Sequence, residues 1–97
     1  MKVVWSERAQ DTFDENVAYL LKKWGENVTQ NFENETIRVI DIICNNPHLG
    51  RFDKKLNCSI ITIVKQVSLF YDVIDGKIVL IAFWDNRQKP LNYLEKF

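Results

Sequence analysis

Cysteine, proline, glycine and histidine are all scarce in this 97-residue chain, and each scarcity removes a class of protein. Cys44 and Cys58 form a single pair with no further ligands around them. They make neither a metal site nor a redox motif, and read as two buried thiols of a cytosolic protein. Only Pro47, Pro90 and three glycines interrupt the chain, so long disordered tails are not expected. The single histidine, His48, sits beside Pro47, Leu49 and Gly50, where it reads as a surface or capping residue. No metal cluster, phosphate loop or nucleophile–base motif is present, and no metal or cofactor is implied. The chain turns polar after its first five residues. Neither a signal peptide nor a membrane span is therefore expected, and the cytoplasm is the expected location. Sequons at Asn27, Asn34 and Asn57 carry no meaning without secretion. Net charge is also lacking, with 13 basic against 13 acidic residues. That balance is unlike a dedicated nucleic-acid binder.

What is present suffices for one self-folding domain over residues 1–97. Hydrophobic residues make up 46% of the chain. A chain of this size buries roughly 60–70% of its unfolded surface without staples. The charge is unevenly spread. Residues 1–48 hold five basic and eight acidic side chains, and residues 49–97 hold eight and five. A basic functional face built from the C-terminal half is the expectation.

Lys2 to Trp5 is a short β-rich run, and Ser6 is a natural N-cap for a helix beginning at the next residue. Ala9, Phe13, Val17, Leu20, Leu21 and Trp24 draw one helical stripe. Early acids (Glu7, Asp11) and late lysines (Lys22, Lys23) complement the helix dipole, and Gly25 supplies a left-handed exit. A second helix is expected at about 26–45, with Val28, Phe32, Thr36, Ile40 and Ile43 on one face and Pro47 and Gly50 closing it. A turn this short forces an antiparallel helix hairpin.

Residues 47–57 read as a polar loop, whose Arg51, Lys54 and Lys55 are candidates for one wall of an anion-binding groove. Strands are expected next at about 58–65, 68–75 and 77–84. Asp75-Gly76 is a two-residue hairpin turn. The run Ile78–Trp84 is apolar throughout, which marks a strand covered on both faces or central in its sheet. Pro90 fits the first turn of a short final helix through Lys96. The order β-α-α-β-β-β plus a tail predicts an α+β fold, with the hairpin on one side of a small, mostly antiparallel sheet.

That order, with these residues, resembles the RelE/ParE superfamily of type II toxin–antitoxin toxins (plasmid stabilisation proteins). The landmarks are Val4-Trp5-Ser6 with Ala9, Tyr19-Leu20, Trp24-Gly25, Asn46-Pro47 with Leu49-Gly50, Leu69-Phe70-Tyr71, Asp75-Gly76-Lys77-Ile78, and Asp85-Asn86-Arg87-Gln88-Lys89-Pro90. The last is similar to the arginine-then-proline ending common in the ParE-like branch. The resemblance implies a small bacterial toxin held in a hetero-oligomer by a cognate antitoxin whose C-terminal segment wraps its helices and sheet.

The superfamily divides by target. One branch cleaves mRNA on the ribosome and the other poisons DNA gyrase. The cleaving branch usually carries an arginine just before the middle-strand tyrosine motif, where this chain has Ser68. The spacing of Arg87 and Tyr93, by contrast, is like that of cleaving members. Cleavage by 2′-OH attack needs a base, an acid and cations on the phosphorane. Arg87 would hold the phosphate, Lys54, Lys55 or Lys65 would add charge, and Tyr93 would be the proton donor. Tyrosine's ordinary pKa, about 10, makes it a poor base without cationic neighbours. Zero net charge also disfavours a nuclease that sits among rRNA phosphates. The leading expectation is therefore a ParE-like toxin that acts by binding, with an mRNA interferase or an inactive antitoxin-binding module as alternatives.

Overall fold

In the computed structural model, which describes residues 1–88, local sequence rules set the helix ends. Strand β1 (Lys2–Trp5) leads into α1 (Glu7–Trp24) through Ser6. The Ser6 hydroxyl accepts from the Ala9 N–H at 3.0 Å and donates to the Ile81 carbonyl at 3.0 Å. One cap thus starts the helix and ties it to the sheet. Gly25 closes α1 with φ 90° and ψ −178°, a region essentially reserved for glycine. This is a positive-φ exit with extended ψ, not the left-handed helical exit expected. The Gly25 N–H returns to the Leu20 and Leu21 carbonyls, while its own carbonyl accepts from the N–H and hydroxyl of Thr29. One residue therefore ends α1 and begins α2 (Glu26–Asn45).

Of the stripe expected on α2, Phe32, Thr36 and Ile43 are buried and Val28 and Ile40 partly so, while Val39, outside that stripe, is buried as well. On α1 the stripe departs from expectation at its end. Leu21 and Trp24 remain about half exposed, while the polar Asn16 is buried. Leu20 beside them is fully buried, and Asn16 faces a strand whose backbone needs partners.

Strands β2 (Arg51–Asp53), β3 (Cys58–Val64), β4 (Val67–Ile74) and β5 (Lys77–Asp85) complete a five-stranded sheet ordered β1-β5-β4-β3-β2. Among the described residues, only β1 and β5 pair in parallel. Strand β2 is a correction, since residues 47–57 read as loop. Arg51-Phe52-Asp53 has no alternation of its own and is extended because it ladders onto Cys58–Ile60. The element order is accordingly β-α-α-β-β-β-β, an α+β fold. Asp75 (φ 51°) and Gly76 (φ 72°) make the expected turn between β4 and β5. The short final helix expected after Pro90 lies outside the described residues.

Strand β5 is an interior strand between β1 and β4, with side chains buried on both of its faces, which fits its continuous apolar run. A bulge governs how that run is used. Phe70 pairs with Ala82 but Tyr71 pairs with Leu80, leaving Ile81 as the extra residue. The alternation flips there. Ile78, Leu80 and Phe83 all join the helix-side core, whereas Ala82 and Trp84 point to the opposite face. On that face Trp84 stacks on Phe70 beside Cys58, at 5.6 Å between ring centroids.

An aromatic knot holds the helices to the sheet. The Phe13 ring lies 5.2 Å from Phe83, 5.3 Å from Phe32 and 5.6 Å from Trp5, centroid to centroid. Phe32 is fully buried, so its truncation to alanine would cost about 3–5 kcal/mol.

Candidate functional site

Beyond Trp5, β1 no longer covers the edge of β5, and side chains of α1 take over its pairing. The Ser6 N–H donates to the Leu80 carbonyl, and the Ser6 hydroxyl to the Ile81 carbonyl. The Phe83 N–H donates to the Thr12 hydroxyl at 2.8 Å, and the Phe83 carbonyl accepts from Asn16 Nδ2 at 3.2 Å. Thr12 and Asn16, four residues apart, thus act as a surrogate strand. Backbone groups left orphaned there would be costly.

This seam directs the chain beyond β5 into a tightly bonded turn. The Asn86 N–H donates to the Gln66 carbonyl, and its Nδ2 donates to the Lys65 carbonyl at 3.0 Å. Its Oδ1 accepts from the Ser68 hydroxyl at 2.8 Å. Trp84 Nε1 donates to the Gln88 carbonyl at 2.9 Å. Arg87 is held three ways. Its backbone N–H and its Nε both donate to the Asp85 carboxylate, at 2.9 and 3.0 Å. Its guanidinium carbon lies 4.1 Å from the centroid of the Tyr19 ring on α1. The Arg87 bonds hold the Asp85 carboxyl below the ordinary carboxylate range against its partial burial, and Asp85 in turn raises Arg87.

Two depressions flank this turn. The larger, about 690 Å³, runs between α1 and the end of β5. Its rim carries Glu7, Asp11, Glu15 and Asp85 against Arg8 and Arg87, so carboxylates outnumber guanidiniums. Glu7, Asp11, Glu15 and Tyr19 form a single ridge at four-residue spacing. The smaller, about 440 Å³, lies on the opposite sheet face among Arg51, Ser68, Phe70, Trp84, Asn86 and Gln88.

The residues expected to bind the target or a phosphate are not gathered in one place. Arg87 lines the larger depression and Arg51 the smaller, with Arg51 Nη1 3.7 Å from Asp53. Lys54, Lys55 and Lys65 are exposed in turns and line neither. The Asp53 carboxylate accepts from the Leu56 and Lys55 N–H groups, which with Arg51 hold its pKa below the ordinary value. Tyr93 lies outside the described residues. His48 is exposed. Among the described residues no three His, Cys, Asp or Glu side chains gather in a metal-binding arrangement.

One pair of landmarks has a purely structural meaning. The fully buried Tyr71 donates its hydroxyl to the Pro47 carbonyl at 2.8 Å and accepts from the Gly50 N–H at 2.9 Å. A Cβ on Gly50 would sit 2.6 Å from that oxygen, so the position takes only glycine without a shift. The Asn-Pro…Leu-Gly loop and the middle-strand tyrosine are therefore one latch.

The family profile of the ParE toxin of type II toxin–antitoxin systems, parDE, matches residues 3–90. The chain belongs to the ParE toxin family. Among solved structures, a chain of the "Chromosomal ParDE TA system from P. aeruginosa" superposes with a TM-score of 0.72, covering 88% of this chain and 95% of that one. At 14% identity this likeness shows the shared fold. No individually curated protein matches the chain. The helix hairpin packed on a five-stranded sheet is consistent with that fold. The residues that bind Phe83 and Arg87, namely Thr12, Asn16 and Tyr19, escape sequence reading as site components. Tyr19 entered the sequence reading only as a landmark of the family resemblance, and the one trace of the other two is a polar pair, Thr12 and Asn16, at helical spacing beside the apolar stripe.

Proposed function

We propose that this ParE-family toxin arrests growth by binding an essential target, DNA gyrase, and that a cognate antitoxin neutralises it in a cytoplasmic hetero-oligomer. The family match over residues 3–90 carries the reading. The chemistry of the site supports binding rather than RNA cleavage. Where the cleaving branch needs a cation, Ser68 is a buried hydroxyl already donated to Asn86. The depression that Arg87 lines carries more carboxylates than cations, a poor surface for an RNA backbone. For the antitoxin, the exposed Leu21, Trp24 and Ile37 of the two helices offer apolar surface to cover.

The test pairs a supercoiling assay using purified chain and gyrase with pulse labelling after tightly controlled induction. The expected result is inhibited supercoiling, with DNA synthesis falling before protein synthesis. Translation collapsing first, with supercoiling untouched, would replace this reading with ribosome-dependent cleavage through Arg87 and Tyr93. If neither synthesis changed, the chain would be an antitoxin-binding module only.

A further inference from the structure

Arg87 is an exposed side chain held in place at the rim of the larger depression. Its side chain is 62% exposed, yet Asp85 grips one edge of the guanidinium and the Tyr19 ring supports its face. An exposed ion pair contributes little to stability and must offset the rotamer entropy of a long side chain. Stability therefore does not explain why this arginine is held. A fixed guanidinium instead presents its remaining N–H groups in one direction, which lowers the ordering cost of binding an oxyanion.

The opposite wall says which oxyanion. Glu7, Asp11 and Glu15 rise along α1 in one ridge that ends at Tyr19. A phosphate backbone entering the depression would meet these three carboxylates and Asp85. A protein segment bearing an acidic residue near basic ones would meet opposite charge on both sides.

We propose that Tyr19 is a positioning residue, which holds Arg87 against Asp85 so that Arg87 receives a carboxylate of the protein target while the Glu7-Asp11-Glu15 ridge receives its neighbouring basic side chains. This rests on the reading of the chain as a toxin that acts by binding.

The experiment compares growth arrest on induction for the parent, Tyr19→Leu, Tyr19→Phe and Arg87→Gln, with melting temperatures and proton NMR of the purified chains. Leucine keeps the apolar stem and the helix propensity of position 19 but removes the ring face. The expected result is a loss of potency of about five- to thirtyfold in Tyr19→Leu and Arg87→Gln, the scale of truncating a contributing interface residue. Tyr19→Phe should retain parental potency. The Arg87 side-chain protons should be ring-shielded in the parent and Tyr19→Phe and lose that shielding in Tyr19→Leu, with melting temperatures unchanged. A fully potent Tyr19→Leu overturns the inference, as does a weak Tyr19→Phe. If Tyr19→Leu does not fold, Arg87→Gln decides alone, and parental potency there overturns it. Oligonucleotide binding by the parent that is lost in Arg87→Gln would assign the depression to nucleic acid instead. A parent that does not arrest growth removes the functional reading with it, whereas a toxic parent beside an equally toxic Tyr19→Leu removes this inference alone.

Discussion

Replacing Tyr71 by phenylalanine tests whether one hydroxyl holds the loop between α2 and β2. The ring is fully buried and would stay packed, so the change removes the hydroxyl's hydrogen bonds to the Pro47 carbonyl and from the Gly50 N–H, together with its interaction with the Ser59 side chain. Both backbone partners sit in a loop whose backbone has no ladder of its own at those positions. Orphaning such groups costs about 1–3 kcal/mol, and we expect about 2 kcal/mol here. For a domain of this size that lowers the melting temperature by about 8–16 °C. Urea unfolding should show a lower midpoint with an unchanged slope, because the surface exposed on unfolding is the same. Gly50→Ala pushes a Cβ to within 2.6 Å of the hydroxyl and 2.8 Å of the ring, and should cost about 1–3 kcal/mol through overpacking. Once that clash has displaced the hydroxyl, adding Tyr71→Phe should cost little more. The double-mutant cycle should therefore show a coupling of about 2 kcal/mol.

A pH signature accompanies the latch. Burial raises the Tyr71 pKa above its ordinary 10.0, although the Gly50 N–H works in the opposite direction. The folded state then binds the phenolic proton more tightly than the unfolded one. The contribution is complete below pH 10.0 and is lost as pH rises through the higher folded value. Tyr71→Phe should remove that part of the alkaline decline. A Tyr71→Phe chain within about 0.5 kcal/mol of the parent, with the same alkaline profile, would refute the latch.

Thr12→Val should leave the Phe83 N–H without its acceptor, lowering stability by about 1–3 kcal/mol and speeding Phe83 amide exchange above that of its β5 neighbours. In carboxyl NMR titrations Asp85 should titrate below 3.8 and move up towards that value in Arg87→Ala. Its pairing therefore contributes above pH 3.8 and is lost as pH falls through the depressed value. Cys58 is buried, with its thiol pushed up to about 11 chiefly by desolvation, so Cys44 should react with a thiol reagent first. Equal rates at the two sites in the folded chain would contradict that burial.

Local chemistry along the chain carried the two helices, the Ser6 cap, the Asp75-Gly76 turn and the burial of Ile78–Trp84 within the sheet. The same residues in order also carried the family likeness. Each of these depends on periodicity or on turn geometry within a few residues, which a linear sequence displays. Other features exist only through neighbours far away in the chain. Strand β2 is extended because β3 offers it a ladder, and the bulge at Ile81 is defined only against Phe70 and Tyr71. Asn16 breaks an apolar stripe because Phe83, 67 residues later, presents a carbonyl that β1 is too short to reach. The candidate site divides in the same way. The sequence alone marked Arg87 as a residue of interest, from its place at the end of a buried strand. Its pairing with Asp85, its seat on the Tyr19 ring and its separation from Arg51 and the loop lysines were decided only when α1 and β5 were brought together. Through-space electrostatics and backbone satisfaction have no period for a sequence to show.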